Sequence, residues 1–503
     1  MNIVWFKRDL RISDNESFTN ACKSRKIMPL YIIEPELWQQ DDLSYRQYIF
    51  LKESLEDLDT QLRKIGQKLI IRKGDALEIF KNIHSEFKIK EVWSHQETWN
   101  KWTFDRDLKL KKWFKLNQIT WNEAIQNGVI RGLKSRDGWS KEWHKRMYSE
   151  IFLPPKEINN QNFTTIEIPS PEEMRLKNDG IEIYQKGGRK EGLLLLNSFL
   201  NERGKNYSKE MSSPLTAYES CSRLSTHIAF GTISMREIVK KADERKKEIK
   251  KLFRADKGNW SRSLSTFSSR LRWHCHFIQK LEDQPDIQYK NIHSSYNNLR
   301  TDKFNKMFFE SWKDGLTGYP MVDACMRSLI KTGWLNFRMR AMLMSFASYH
   351  LWLPWQITSK YLASLFTDYE PGIHYSQCQM QSGTTGINAI RIYNPIKQGI
   401  DHDPEGIFIK KWVPELRNVP KKEIHKPWEN IKNIQDYKSP IINEVEARKD
   451  ASSRIYKLRK SKLHKIESNQ IFIKHGSRKP RLKNYKKKTQ IKKIETQENL
   501  FDI

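Results

Sequence analysis

Between Trp334 and Pro395 the chain concentrates arginines, an acidic pair and a Gly/Thr-rich loop within an otherwise helical stretch. Two segments carry these residues: GYPMVDACMRSLIKTGWLNFRMRAM (Gly318 to Met342) and TDYEPGIHYSQCQMQSGTTGINAIRIYNP (Thr367 to Pro395). Asp368 and Glu370 are the acidic pair, and Arg327, Arg338, Arg340 and Arg391 are the arginines. A guanidinium and a carboxylate withdrawn from water must find each other, because either one buried alone is costly. His374 adds an imidazole whose ordinary titration lies near neutrality. Together these types predict a buried, charge-compensated pocket for a large polar cofactor. The plainer alternatives are a structural salt bridge and a histidine in a polar loop.

The rest of the chain must position those residues. Its 503 residues suggest two to four domains, at roughly 100–200 residues each. Over the first 125 residues, strand-like and helix-like segments alternate, the pattern of a doubly wound parallel sheet. The strands are expected at Asn2–Lys7, Ile27–Ile33, Lys68–Lys73, Glu91–Ser94 and Ile119–Asn122. Leu51, Leu55, Leu58 and Leu62 fall at helical spacing, and Asp75 with Glu78 reads as a helix start. No G-x-G-x-x-G follows the first strand, which disfavours a dinucleotide-binding Rossmann site. Residues 126–186 form a connection punctuated by Pro154, Pro155, Pro169 and Pro171. From 187 to 438 helical periodicity dominates. One helix is expected over Met321–Lys331, ending near Gly333, and another from Leu335 to Trp352. Residues 439–503 turn lysine-rich, ending in SRKPRLKNYKKKTQIKK, and read as a disordered or marginally helical basic tail.

The formal charge is +30 and the pI about 9.7, a field that gathers polyanions such as nucleic acid. A general excess of lysine and asparagine is the competing explanation. No apolar run is long enough to span a bilayer and the N-terminus is not signal-peptide-like, so a cytoplasmic, non-membrane protein is expected. The five cysteines are scattered and never form C-x-x-C, which argues against a disulfide framework or zinc ribbon.

IVWFKRDLRISDN (Ile3 to Asn15), SRLSTHIAFGTIS (Ser222 to Ser234), WSRSLSTFSSRLRWHCHFIQ, GYPMVDACMR, GWLNFRMR and RIYNP together resemble the DNA photolyase/cryptochrome family, in the right order over most of residues 1–420. The resemblance implies an α/β antenna domain followed by an all-α domain holding FAD in a bent conformation. It places Tyr207, Ser222, Arg223, Leu224, Ser225, Phe267, Arg270, His274, Phe337, Arg340, Asp368, Glu370 and His374 around the cofactor, with His374 facing the flavin N5. It makes Trp273 and Trp334 walls of a pocket for extruded bases, joined by His274, and Trp355 the middle of an electron route. No metal is expected.

Several positions depart from the family pattern. Arg270 stands where dimer-splitting relatives carry an acid, and Phe337 where they carry Asn. Cys378 replaces the flavin-proximal tryptophan of the electron route, and the exposed member falls near Asp302. Trp352, Tyr349, Tyr369 and Tyr375 are the aromatics left to carry electrons. Glu97, in SHQETW, is a contact for a second antenna chromophore of folate, deazaflavin or flavin type, or else a helix-start acid. The function implied is light-driven repair of UV pyrimidine dimers in single- or double-stranded DNA by a monomer, nucleoid-associated in a bacterium. The rival is a cryptochrome-like blue-light receptor without repair activity.

Overall fold

Alternate residues of the first strand feed two different cores. Val4 and Phe6 join one apolar cluster and Ile3 and Trp5 another, as a strand buried on both faces requires. In the computed structural model, which describes residues 1–24, 26–159, 162–301, 304–430 and 437–477, this strand is β1 (Asn2–Phe6). The others are β2 (Ile27–Ile33), β3 (Ile70–Lys73), β4 (Glu91–His95) and β5 (Thr120–Ala124). They form one sheet in the order β3-β2-β1-β4-β5. All pairs are parallel, with Ile3 opposite Met28 on one side and Val92 on the other. The winding direction therefore reverses between β1 and β4, where open α/β sheets hold ligands.

Three long helices cover the sheet: α1 (Tyr45–Arg63), α2 (Ala76–Phe87) and α3 (Lys101–Leu116). The leucine stripe of α1 is fully buried against Val4, Phe6 and Ile33. Asp75 caps α2, its side chain accepting from the Glu78 amide at 3.0 Å.

The connection contains a helix, Trp139–Met147, that buries Trp139, Trp143 and Met147. The remainder runs back over the sheet, held by Ile158 N donating to Ile65 O at 2.8 Å and by Arg46 paired with Asp179 at 2.8 Å.

The helical half is built from α4 (Arg189–Asn201), α5 (Met235–Lys251), α6 (Trp260–Asp283), α7 (Pro320–Thr332), α8 (Phe337–Ser345), α9 (Trp355–Leu365) and α10 (Pro371–Ser382). Helix α7 ends at Gly333, whose φ of +66° suits glycine, and an added Cβ would lie 2.3 Å from Thr367 Oγ1. Thr367 N donates to Gly333 O at 3.0 Å, which ties the end of α7 to the segment carrying Asp368. The helix expected over Leu335–Trp352 is shorter. It starts at Phe337, ends at Ser345 and widens into a π-helical turn over Phe346–His350, ahead of Pro354, whose missing N–H forbids continuation.

The basic tail is corrected more substantially. Residues 444–475 form two helices, α11 (Glu444–Arg459) and α12 (Lys462–His475). A sparse apolar stripe outweighs the lysines: Ala451 and Ile455 are fully buried beside Tyr296 and Tyr349, and Ile471 packs on Leu281 and Ile287. The lysine run from residue 478 onward lies outside the described residues, as does Asp302. No helix among the described residues is long and apolar enough to cross a membrane.

The two halves dock through the loop after β1. Arg11 donates to Gly231 O at 2.7 Å, and Asp14 takes Arg236 and Ser234. Gly231 has φ +68°, and a Cβ there would fall 2.0 Å from Arg8 O.

Candidate functional site

Arg340 on α8 and Asp368 beyond α9 form a two-pronged pair, Nη1 to Oδ1 at 2.9 Å and Nη2 to Oδ2 at 2.8 Å. Arg340 Nε is fixed on Leu335 O at 2.6 Å. Burial alone would raise the Asp368 carboxyl, but Arg340's charge and hydrogen bonds, with a hydrogen bond from Ser225, hold it below its ordinary range. Ser225 opens the short helix Ser225–Ala229, so the Ser222–Ser225 turn meets the ion pair directly. Within that turn Arg223 has φ +60°. Its guanidinium lies 4.0 Å from the Tyr218 ring and 4.2 Å from Trp334. Leu224 is buried in apolar contacts, leaving only its backbone for a ligand. Burial pushes the adjacent Cys221 thiol up to about 12, so it stays protonated.

Helix α6 brings the next group. Phe267 and Tyr207 pack with Phe199 in the core. The Tyr207 hydroxyl accepts from Arg270, whose guanidinium stands 5.9 Å from the Phe337 ring. Phe337 itself is 39% exposed, at the edge of the group. Burial lowers His274 to about 4, so the ring is neutral, and its Nδ1 is buried without a partner among the described residues. Trp273 stacks on Phe277 at 5.6 Å and meets His276 edge-on. The described ring contacts put Trp273 and Trp334 in separate clusters, the first with His276 and Phe277, the second with Tyr218 and Arg223.

His274 and Glu370 line a small cavity between the halves together with Arg8, Glu97, Trp99, Gln126 and Ser234. Arg8 lies 3.4 Å over the Trp99 ring. Burial raises Glu370 to about 8, only partly offset by Arg8, and its Oε1 has no partner among the described residues.

Two side chains are engaged in ways their spacing in the sequence did not show. His374 Nε2 donates to Ser359 O at 2.8 Å, so that nitrogen is spent within the fold. Burial also lowers His374 to about 4, away from the near-neutral titration expected. Glu97 neither starts a helix nor stands free. Asn100 caps α3, and Glu97 is held by Arg106 and lies 3.8 Å from Lys7. Arg106 also binds Glu34 at 2.5 Å and Asp107 at 2.9 Å, closing a buried ion cluster over the strand ends.

Trp355 is buried, with Nε1 donating to Asn291 Oδ1 at 2.6 Å. Its ring is 6.4 Å from Tyr375, which is 6.3 Å from Tyr369, which is 5.9 Å from Trp99. Cys378 is a buried thiol beside His374. Sequence reasoning missed Asp42, which accepts from Tyr369 at 2.5 Å and Tyr375 at 3.3 Å. It also missed Arg8 as a cavity wall, although KRDLR put an arginine straight after β1.

Among the described residues, buried polar atoms at Arg223 Nε, His274 Nδ1 and Glu370 Oε1 have no partner, whereas the Arg340–Asp368 pair is complete. Residues 2–130 match a family model described as DNA photolyase, and residues 267–457 match the FAD binding domain of DNA photolyase. The deoxyribodipyrimidine photo-lyase of Salmonella typhimurium is 26% identical over 470 residues, covering 89% of this chain and 96% of that protein. Cryptochrome DASH of Synechocystis sp. is also 26% identical, with 89% and 96% covered. The crystal structure of an archaeal photolyase from Sulfolobus tokodaii with two FAD molecules aligns at TM-score 0.75 and 27% identity, covering 91% of this chain and all of that one.

Proposed function

Because the chain belongs to the DNA photolyase/cryptochrome family and carries its FAD-binding domain, we propose that it splits UV-induced pyrimidine dimers in DNA using light. The observation that supports this reading most is the bidentate Arg340–Asp368 pair met by Ser225 of the Ser222–Ser225 turn. Bound FAD, once reduced and excited by light, supplies the one-electron chemistry, which is redox-neutral over a repair cycle.

The protein's own residues do the holding. Backbone N–H groups of the Ser222–Ser225 turn and the Ser222 hydroxyl suit a pyrophosphate, and Arg340 sets a fixed positive charge whose partner, Asp368, keeps it in place. Neutral His274 and a protonated Glu370 can each donate or accept at a cofactor edge without adding charge. The half-buried rings of Trp273 and Trp334 offer faces to extruded bases, worth roughly 1–3 kcal/mol per base. A formal charge of +30 draws in the phosphate backbone. A second chromophore at the strand ends would have to displace the Glu34–Arg106–Glu97 cluster.

One observation favours the receptor reading. Cys378 sits where the flavin-proximal electron donor of relatives stands, so the continuous aromatic run is Trp355, Tyr375 and Tyr369 instead. Purified protein illuminated with a reductant and dimer-containing DNA decides between the two. Loss of thymine dimers supports repair. Absence of repair in both single and double strands, with a long-lived light-induced radical, supports the receptor.

A further inference from the structure

Asp42 belongs to the α/β half, just beyond the short helix Pro35–Trp38, yet it is buried against the helical half. Its Oδ2 accepts from the Tyr369 hydroxyl at 2.5 Å and from the Tyr375 hydroxyl at 3.3 Å. Among the described residues no ion pair holds it. Lys360 acts on it from a distance and is itself paired with Asp41 at 3.2 Å. Burying an anion on two neutral phenols is costly, and an asparagine carbonyl would accept the same two hydrogen bonds without that cost. What a carboxylate adds is affinity for a proton, which burial raises here.

The two phenols are part of an aromatic run. Tyr369 stands between Asp368, the partner of Arg340, and Glu370 of the cavity wall. Its ring lies 5.9 Å from Trp99 and 6.3 Å from Tyr375, and Tyr375 lies 6.4 Å from Trp355. Burial, with the Asp42 charge beside them, keeps both phenols protonated at rest. A phenol that loses an electron becomes a strong acid, so its oxidation is easy only where a base already holds the hydroxyl. The shorter contact singles out Tyr369 rather than Tyr375.

Building on the flavoprotein reading above, we propose that Tyr369 is a proton-coupled electron donor and that Asp42 is the base taking its phenolic proton. In this step Tyr369 gives one electron to a one-electron oxidant, light-excited oxidised flavin. The phenolic O–H bond breaks, the proton passes to Asp42 Oδ2, and a neutral phenoxyl radical remains beside a carboxylic acid. Return of the electron carries the proton back. Asp42 acts through Tyr369 and is a positioning residue.

The test is spectroscopy of the full-length flavoprotein: transient absorption, electron paramagnetic resonance and light-minus-dark infrared. Illumination should give a neutral tyrosyl radical, formed more slowly in heavy water, together with the infrared band of a newly protonated carboxyl. Tyr369→Phe should abolish both signals. Asp42→Asn keeps an acceptor for the hydroxyl, but it should remove the infrared band and slow radical formation on the order of 100-fold, as loss of a positioned proton acceptor does. Yields are taken per bound flavin, so lower occupancy in a variant does not imitate the result. No tyrosyl radical in the wild type, a radical that survives Tyr369→Phe, or an unchanged rate and band in Asp42→Asn overturns the proposal. A purified chain without flavin would instead defeat the family reading. Photogenerated trivalent tris(bipyridine)ruthenium then serves as the oxidant, and the same comparisons decide on the pair.

Discussion

Asp368 is the carboxylate whose neutralisation should be felt first. Asp368→Asn leaves Arg340 without its anionic partner in a half-closed setting, which costs about 3 kcal/mol. Denaturant unfolding should show that loss together with lower flavin absorbance; wild-type stability and full flavin content would dissociate the pair from cofactor retention. Glu370 makes a separate, pH-resolved prediction. Its folded pKa of about 8 lies above the ordinary carboxyl value because of burial. Between those values the folded state binds more protons than the unfolded state, so stability is fully present at low pH and falls as pH rises toward 8. Glu370→Gln should flatten that decline; an unchanged slope in thermal unfolding against pH would remove Glu370 as its source. Asp42→Ala would strand the buried Tyr369 and Tyr375 hydroxyls, at roughly 1–3 kcal/mol each.

At the level of elements, α11 and α12 are held by a histidine cluster. The His293 and His464 rings stack at 4.0 Å, and His464 Nε2 meets the Tyr296 hydroxyl at 2.8 Å, with Arg459 and Glu467 alongside. Burial lowers His464 to about 4. The unfolded state takes up the proton first as pH falls, so this contact weakens from about pH 6.5 downward. Hydrogen exchange of the α12 amides should speed up at pH 5 relative to pH 7.5 while α6 stays protected; equal protection at both would sink the idea. These two helices also show where sequence reading stops. Strands such as Ile27–Ile33 and the leucine stripe of α1 are legible because periodicity is local. The Arg340–Asp368 pair was legible through the family resemblance, and the cost of burying either charge alone agreed with it without choosing Arg340 over Arg327, Arg338 or Arg391. Ala451 and Ile455 gave too thin a stripe to outweigh the surrounding lysines until a groove existed to receive them. Asp42 carried no local sign at all, because its tyrosine partner Tyr369 lies 327 residues away. The spending of His374 on Ser359 likewise depends on how α9 and α10 pack, which spacing along the chain does not reveal.

For the whole molecule, the net charge of +30 makes affinity for DNA a salt-dependent quantity. Binding of undamaged duplex should weaken steeply between low and physiological salt, whereas the flavin spectrum should not change. Gly231→Ala probes how the halves meet: its φ of +68° and a Cβ 2.0 Å from Arg8 O should cost at least about 2 kcal/mol. The same junction governs how the protein is made. Asp14 leaves the ribosome 222 residues ahead of Arg236, its neutralising partner. Until translation reaches that arginine, the Asp14 carboxylate has the Phe152 amide and the nearby Arg11 charge to meet. A gene divided between the halves would leave Asp14 and Arg236 on separate fragments, each short of a charge partner until the two meet.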